Sequence, residues 1–393
     1  MSEASVTPHP RAARAASGRK GARLRTAPPA GRRSGAFVAI FALVAVLCLT
    51  GMVMVLSASS VASIEDYGSP WYQFGRQALW LGVGIVGFVV ALRIDYRRWR
   101  SWTRYLLWVS LAMLVLVLVP GVGVVVNGAR RWLGFGPFTV QPSEFAKLAL
   151  LLFAADLLAR RANRVADPQQ ALRPVLAVFA MMAVLVMIQP NLGTTIILFV
   201  MTFVLLFVAG VPGRQLGLLG LAAAAAGVLF AIIEPYRMRR ITAFLDPWSD
   251  PANVGYQNIQ SAAAIANGGL VGTGVGQGRA KYGYLPEADT DFIFSVIGEE
   301  LGFLGAMVLL VLFLALGAAA IRVAMRAPDR FGMLVASGIA AWFLFQAVVN
   351  IGAAVGVMPT TGVPLPFVSA GGSSLLISLF AAGILCNIAR HTS

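Results

Sequence analysis

Long apolar runs, each ended by charged or turn-forming residues, dominate the chain from residue 36 onward. A run of about 20 apolar residues is long enough to cross the hydrocarbon core of a bilayer as an α-helix. The runs lie at 36–57, 75–92, 104–120, 143–159, 173–188, 194–210, 215–233, 292–320, 331–351 and 373–389. The pattern therefore predicts an all-α integral membrane protein with about ten transmembrane helices.

Arginines in the short connecting segments fall on one side of the predicted membrane. They follow the second, fourth, sixth and eighth spans, and the N-terminal arm lies on the same side. Because short cytoplasmic loops are enriched in Lys and Arg, both termini are predicted to be cytoplasmic. The large loop 234–291, between helices 7 and 8, is then extracytoplasmic, and loops of this length are usually functional. The last outer loop, 352–372, contains no Lys or Arg.

Two stretches of these outer loops are predicted to have a definite structure. Residues Gln257–Ala266 have the pattern of a short amphipathic helix. Residues Gly362–Ser374 contain two prolines and adjacent glycines, which exclude a straight helix. Uncharged irregular backbone at membrane depth must be buried in protein or line a cavity, so we expect one of these placements for the second stretch.

Composition agrees with a membrane protein, since 58% of the residues are hydrophobic and 12% are charged, against about 25% charged in soluble domains. About half of the net charge of +15 lies in residues 1–35, which lack apolar periodicity. This segment is predicted to be a disordered, basic cytoplasmic tail that lies against anionic lipid. A nucleic-acid partner is the weaker interpretation, because the tail has no aromatic residues for base stacking. Residues 391–393 are predicted to form a short cytoplasmic C-terminus.

Cysteine and histidine are too few for the chemistry that they usually support. Cys48 and Cys386 lie in apolar runs near opposite ends of the chain, which excludes a disulfide framework. His9 and His391 are the only histidines and lie in the terminal segments, so a histidine base or a histidine metal site is not expected. Any catalysis must therefore use carboxylate, Lys or Arg side chains.

Charged residues at the edges of apolar spans are costly to bury and are therefore informative. Glu144 and Lys147 lie three residues apart at the start of the fourth span, on one face of the predicted helix. Two interpretations stay open for this pair. It is either a structural ion pair that orients the helix or a pair that grips a polar substrate.

Arginines on the outer side form a second candidate group, which includes Arg76, Arg131 and Arg240. Guanidinium groups bind phosphate oxygens in a bidentate manner, so these three side chains together would suit a pyrophosphate. Anchoring to lipid headgroups explains the same residues equally well.

Asp291, where the long outer loop enters the eighth span, is the most informative acidic residue. It is predicted to lie in the first turn of that helix with Thr290 or Asp289 as N-cap, so capping and compensation of the helix dipole would explain it. Capping does not explain why carboxylates recur at Glu299 and Glu300, which need a partner or a wet cavity. Asp291 is therefore favoured as a working carboxylate.

Four long motifs carry a resemblance to a known family. They lie at 128–152, 244–278, 281–305 and 349–374, and include the runs FLDPW and KYGYLPEADTDFIF. In this order they resemble the FtsW/RodA family of shape, elongation, division and sporulation proteins, over about residues 36–390. The two quoted runs look more like the division member FtsW than the elongation member RodA.

The resemblance implies a polytopic membrane domain over residues 36–390 and a peptidoglycan glycosyltransferase that polymerises lipid II during division, with Asp291 as its catalytic base. It also implies a class B penicillin-binding transpeptidase and other division proteins as partners, in the plasma membrane at the septum. A divalent cation, Mg²⁺ or Mn²⁺, is compatible with the substrate pyrophosphate, but no dedicated metal site is predicted. Substrate binding is predicted for Arg76, Arg131, Glu144, Lys147, Asn191, Arg240, Gln260, Ser261 and Thr290.

One residue departs from the family pattern. The segment Gln189–Thr194 carries Asn191 where the family usually has Asp, so Asn191 is expected only as a polar cavity residue.

Two other classes of function stay open. In a lipid-precursor flippase or other transporter, Glu144, Lys147 and Glu299 would line the path. In a noncatalytic scaffold, the chain would recruit and activate the transpeptidase. A transporter predicts polar groups that continue toward the cytoplasmic ends of the helices, whereas here they are concentrated on the outer side.

Overall fold

Helices account for most of the structure, a computed structural model that describes residues 34–126, 128–135, 138–233 and 235–392. The long helices are α1 (Gly35–Tyr67), α2 (Tyr72–Arg93), α3 (Trp99–Leu116), α4 (Pro142–Arg160), α5 (Leu172–Ile188), α6 (Leu192–Ala209), α7 (Gly213–Ile233), α10 (Ile293–Arg326), α11 (Arg330–Ala354) and α12 (Gly372–Arg390). Two shorter helices, α8 (Pro235–Leu245) and α9 (Tyr256–Gly268), lie between α7 and α10. The basic tail predicted for residues 1–35 lies outside the described residues, except for its last two positions.

Among the described helices, seven are long and apolar enough to cross a membrane, namely α1, α2, α6, α7, α10, α11 and α12. The other three long helices coincide with predicted spans but are shorter or carry more charge; α5, for example, has 17 residues. A multi-pass helical membrane protein is therefore confirmed. The number of ten crossings stays a prediction.

A small antiparallel sheet accompanies the helices of this all-α fold. Strands β1 (Gly123–Val126), β2 (Ala129–Phe135) and β3 (Phe138–Val140) pair in the order β1-β2-β3 between α3 and α4. The valines of β1 favour a strand because β-branched side chains pack well on a pleated surface. Gly128, directly before β2, has a left-handed φ of 76°, which tight hairpin turns require.

Contacts between the segments that connect the long helices define two ends of the bundle. We call the end that carries the sheet the sheet end, and the other the arginine end. At the arginine end, Asn387 Nδ2 donates to the carbonyl of Leu92 at 2.7 Å, and Arg97 Nε lies 3.1 Å from the carboxylate of Asp329. The segments that follow α4 and α6 lie at the same end, since Arg100 Nε is 2.9 Å from the carboxylate of Asp156 on α4 and Gln215 Nε2 donates to the carbonyl of Ala166 at 3.1 Å.

Helices α11 and α12 form the centre of the bundle. In the most apolar stretch of each helix, 83% of the residues of α12 and 67% of those of α11 are buried, against 6% for α7. Close packing of α2 on α12 depends on small residues, since a Cβ at Gly383 would lie 2.6 Å from the carbonyl oxygen of Phe88. Small residues that let backbones approach are typical of helix contacts in membranes.

Helix α10 is kinked at Gly302, whose φ of 69° and ψ of −171° interrupt the helix. The Gly-rich segment that follows α9, residues 269–280, packs into this kink. The backbone N of Phe303 donates to the carbonyl of Gly269 at 2.9 Å, and the N of Leu304 to that of Leu270 at 3.1 Å. A Cβ at Gly302 would lie 2.3 Å from the backbone N of Gly272, so only glycine fits at this crossing.

The carboxylates of Glu299 and Glu300 accept hydrogen bonds from the backbone of the Gly-rich segment. Glu299 accepts from the backbone N of Arg279 at 2.9 Å and of Ala280 at 3.0 Å. Glu300 accepts from the hydroxyl of Ser57 on α1 at 2.6 Å. Both side chains are almost fully buried, so these bonds supply the partners that their burial requires.

Candidate active site

The backbone of the segment Asp289–Asp291 is hydrogen-bonded to two neighbouring elements at the sheet end, helix α11 and the loop between α11 and α12. Its three carbonyls, in chain order, accept from the backbone N of Ala370 at 2.8 Å, the hydroxyl of Ser369 at 2.5 Å and the Nδ2 of Asn350 at 2.8 Å. Because each carbonyl has its own donor, the backbone is held without using the carboxylates. The two aspartate side chains are therefore available for chemistry.

Asp291 does not lie in the first turn of the eighth span, as the sequence predicted. Helix α10 begins at Ile293, its N-cap residue is Phe292, and no described side chain caps it. The prediction that Thr290 or Asp289 is the N-cap is therefore wrong. The segment before the helix is bound to the α11–α12 loop instead, and helix capping no longer explains Asp291.

The carboxylate of Asp291 faces a small pocket lined also by Asn350, Thr360, Thr361 and Gly362. A Cβ at Gly362 would lie 3.6 Å from Asp291 Oδ2, and the φ of Gly362 is 71°. A left-handed glycine here lets the loop backbone approach the carboxylate closely without strain. The pocket confirms that part of the irregular stretch 362–374 lines a cavity.

Burial and neighbouring charges make Asp291 unusually basic. Burial and the nearby carboxylate of Glu287 raise the pKa of Asp291 from its ordinary value of 3.8 to about 7, while Arg240 and Arg131 act in the opposite direction. Burial and Glu287 also raise the pKa of Asp289, to about 6. A carboxylate whose pKa lies near neutrality is suited to take a proton from a hydroxyl group.

Two of the predicted arginines lie near this carboxylate and are held by backbone carbonyls. Arg131, on β2, donates to the carbonyls of Gln189 at 2.9 Å and Pro190 at 2.6 Å. Arg240, on α8, donates to the carbonyl of Thr360 at 2.9 Å. The two guanidinium groups thus approach the pocket from different elements, and guanidinium groups are well suited to bind phosphate oxygens.

The α11–α12 loop that fastens Asp289–Asp291 is in turn held by α2. Gln77 Nε2 donates to the carbonyl of Ser369 at 3.2 Å, and the backbone N of Gly371 donates to Gln77 Oε1 at 3.4 Å. The Ser369 hydroxyl also accepts from the backbone N of Leu365 at 2.8 Å. Sequence reasoning missed Gln77 and Asn350, although a polar residue inside an apolar span is the signal that could have indicated each of them.

Four other predicted substrate-binding residues lie at the sheet end in different settings. The hydroxyl of Thr290 donates to Glu287 Oε2 at 2.8 Å. Ser261, on α9, is fully buried, and its hydroxyl donates to the carbonyl of Ala354 at 2.7 Å. Gln260, on the same helix, and Arg76, near the start of α2, are partly buried. Substrate contact by these four residues stays a prediction.

Glu144 and Lys147 form a buried ion pair inside the bundle, on α4. Lys147 Nζ lies 2.9 Å from Glu144 Oε2, and both side chains are at most 3% exposed. Lys147 Nζ also donates to Gln346 Oε1 at 3.0 Å and lies 4.8 Å from the ring centroid of Trp342. Gln346 Nε2 donates to the carbonyl of Pro364 at 2.7 Å. This geometry favours the structural interpretation of the pair. Through Gln346, the pair also supports the α11–α12 loop.

Asn191 is the N-cap residue of α6. Its Oδ1 accepts from the backbone N of Thr194 at 3.2 Å, its carbonyl accepts from the hydroxyl of Thr195 at 3.0 Å, and the residue is 5% exposed. Asn and Asp are about equally good N-caps. For capping α6, Asn is therefore as good as Asp at this position.

Replacing Asn191 by Asp is expected to leave stability and activity close to those of the wild type, since the carboxylate can cap the same N–H group. Replacing it by Ala should lower the free energy of unfolding by about 1 kcal/mol, the usual effect of a lost N-cap. Thermal unfolding of the purified variants in detergent measures both. Equal stability of the Asn191→Ala variant and the wild type would contradict the cap role.

Among the described residues, no cluster of three or more His, Cys, Asp or Glu side chains could hold a metal ion.

Comparison with known proteins identifies the family. The model of the family of FtsW, RodA and SpoVE, described as "Cell cycle protein", matches residues 38–393. The chain is 46% identical to a probable peptidoglycan glycosyltransferase FtsW of Trichlorobacter lovleyi, over 88% of this chain and 91% of that protein. It is 41% identical to stage V sporulation protein E of Bacillus subtilis, over 90% of this chain and 97% of that protein.

Solved structures agree with this result. A chain from a peptidoglycan synthase complex that coordinates polymerization and crosslinking is 34% identical, covers 89% of this chain and 96% of its own length, and superposes with a TM-score of 0.73. The rod shape determining protein RodA of Thermus thermophilus is 33% identical, with coverages of 89% and 95% and a TM-score of 0.66. The chain therefore belongs to the family of FtsW, RodA and SpoVE.

Proposed function

We propose that the chain is a peptidoglycan glycosyltransferase that polymerises lipid II at the outer face of the plasma membrane, with Asp291 as the general base. The observation that carries this proposal is a buried carboxylate with a pKa of about 7 beside two arginines and a pocket. The names of the relatives support the activity. The motifs FLDPW and KYGYLPEADTDFIF, which look more like FtsW than RodA, support a role in division at the septum.

The arrangement accounts for a single-displacement reaction. A hydroxyl of the acceptor sugar attacks the anomeric carbon of the donor sugar, and its proton passes to the carboxylate of Asp291. The bond from the anomeric carbon to the lipid pyrophosphate breaks, and Arg131 and Arg240 stabilise the negative charge of the leaving group. Since one base acts and no covalent intermediate forms, the configuration of the anomeric carbon is inverted.

The orientation follows from the charges at the two ends of the bundle. The arginine end carries the Arg-rich connecting segments, and such segments favour the cytoplasm. With ten crossings, both termini lie in the cytoplasm and the sheet end faces outward, where the glycan strand is built. A class B penicillin-binding transpeptidase is the proposed partner, because the similar chain in the solved synthase complex belongs to an assembly that combines polymerization with crosslinking.

A lipid II flippase is the second candidate, and the partners of the buried acids argue against it. Glu299 and Glu300 accept hydrogen bonds from backbone N–H groups of the Gly-rich segment, including that of Gly276 for Glu300, rather than line a path. The purified chain with its transpeptidase, reconstituted in liposomes with lipid II, distinguishes the two functions. Glycan polymer from lipid II supplied on the outer face is expected. Transfer of labelled lipid II across the bilayer without polymer would contradict the proposal.

Polymerisation is expected to increase as the pH rises through about 7, because Asp291 must lose its proton before it can act as a base. Glu287 raises the pKa of Asp291, so the Glu287→Gln variant should have a lower pKa at Asp291, and the acidic limb of the profile should move to lower pH. Gln retains an oxygen that can accept from the Thr290 hydroxyl. The measurement is kcat/KM as a function of pH. A limb that stays in place or moves to higher pH would contradict the assignment.

A further inference from the structure

The side-chain nitrogen of Asn350 makes hydrogen bonds, whereas its side-chain oxygen has no partner in the part of the chain that the structure describes. It lies near the end of α11 at the sheet end and is 2% exposed. Its Nδ2 donates to the carbonyl of Asp291 at 2.8 Å and to that of Val363 at 2.9 Å. Both partners are acceptors, so the orientation of the amide is fixed, and the Oδ1 atom must point away from them.

The Oδ1 atom of Asn350 has no hydrogen-bond partner among the described residues. A buried acceptor without a partner destabilises a protein and is therefore rare. Asn350 lines the same pocket as Asp291. An unused acceptor of fixed orientation, next to the proposed base, is the arrangement expected of a residue that binds substrate.

We propose that Asn350 Oδ1 accepts a hydrogen bond from a hydroxyl of the acceptor sugar, next to the hydroxyl that attacks. This inference rests on the proposed function, because it takes the small pocket beside Asp291, which has room for about one hydroxyl group, as the place where that hydroxyl enters. The same amide then has two tasks. Its Nδ2 holds the backbone of Asp291, and its Oδ1 holds the sugar, so that the attacking oxygen and the base are set relative to each other by one side chain.

A binding measurement tests this role separately from catalysis. Full-length protein that carries Asp291→Asn is placed in nanodiscs, and the Kd for fluorescent lipid II is measured with and without Asn350→Ala. Loss of one hydrogen bond to the substrate should weaken binding by about three- to tenfold. Because turnover is not needed, the result does not depend on whether Asp291 is the base.

Ser369→Ala is the matched control. Ser369 also holds the Asp289–Asp291 segment, through the carbonyl of Thr290, and its hydroxyl already has partners in the protein. In the Asp291→Asn background it should change the Kd by less than about twofold. Equal weakening by Ser369→Ala and Asn350→Ala would overturn the proposal, since both variants would then act only by loosening the segment.

Substrate analogues identify the contact itself. Lipid II analogues that lack either of the two hydroxyls next to the attacking one are compared in the same assay. For one of the two, Asn350→Ala should no longer change the Kd, because the partner of Oδ1 is already missing. If Asn350→Ala does not fold, Asn350→Ser takes its place. A Kd unchanged by the substitution, or an effect of the same size with both analogues, would overturn the proposal.

Discussion

Replacement of Asp291 by Asn is expected to lower the initial rate of lipid II polymerisation by about 10²–10⁴-fold, the usual contribution of a general base. Asn has nearly the same shape as Asp, and the backbone of Asp289–Asp291 is held by Ala370, Ser369 and Asn350 whichever side chain is present. The fold should therefore persist while the proton acceptor is lost. The measurement is the rate of glycan formation by the purified protein with its transpeptidase partner.

Asp289→Asn provides a matched control for this prediction. Asp289 belongs to the same fastened segment, and burial and Glu287 also raise its pKa. Since it is not the proposed base, the Asp289→Asn variant should lose less than about tenfold in rate. An Asp291→Asn variant that polymerises at the wild-type rate would contradict the mechanism, and so would an Asp289→Asn variant with the larger loss.

Replacement of Lys147 by Met is expected to destabilise the protein by about 3–5 kcal/mol, because it leaves the carboxylate of Glu144 buried without its cation. The two charges lie 2.9 Å apart inside the bundle, so water cannot readily take the place of the missing ammonium group. Thermal unfolding in detergent and the yield of monodisperse protein measure the effect. A Lys147→Met variant as stable as the wild type would contradict the structural interpretation of the pair.

The double variant Glu144→Gln with Lys147→Met should recover most of that stability, because a buried ion pair can often be replaced by neutral groups at little net cost. The same variant separates the two interpretations of the pair. If it folds and binds lipid II normally, the pair is structural. If it folds and loses lipid II binding, the pair contacts the substrate.

The positions of the helices could be predicted because lipid imposes a simple rule on the sequence. Each long helix had to be an apolar run, and the predicted spans fall on α1–α7 and α10–α12. The short helix predicted at Gln257–Ala266 is confirmed as α9 (Tyr256–Gly268). Helix α8 and the sheet were missed, because short elements outside the membrane carry a weaker pattern than spans do.

The surroundings of Asp291 could be predicted only in part. The carboxylate itself could be recognised as a charge beside an apolar span. The backbone around it, however, is held by hydrogen bonds from Asn350 and Ser369, which are 59 and 79 positions away in the chain from the residues they bind. Single-sequence patterns are local and do not contain such contacts. The same limit explains why Glu299 was considered as a path residue, although its partners are backbone N–H groups of the Gly-rich segment.

The most direct test of the central claim is the accessibility of the pocket beside Asp291. Thr361, which lines it, is replaced by Cys in a chain whose buried Cys48 and Cys386 have been replaced by Ala. A membrane-impermeant thiol reagent is then added to one side of oriented liposomes. Reaction from the outer face, slowed by lipid II, is predicted. Reaction only from the cytoplasmic face, or a rate that lipid II does not change, would contradict the account.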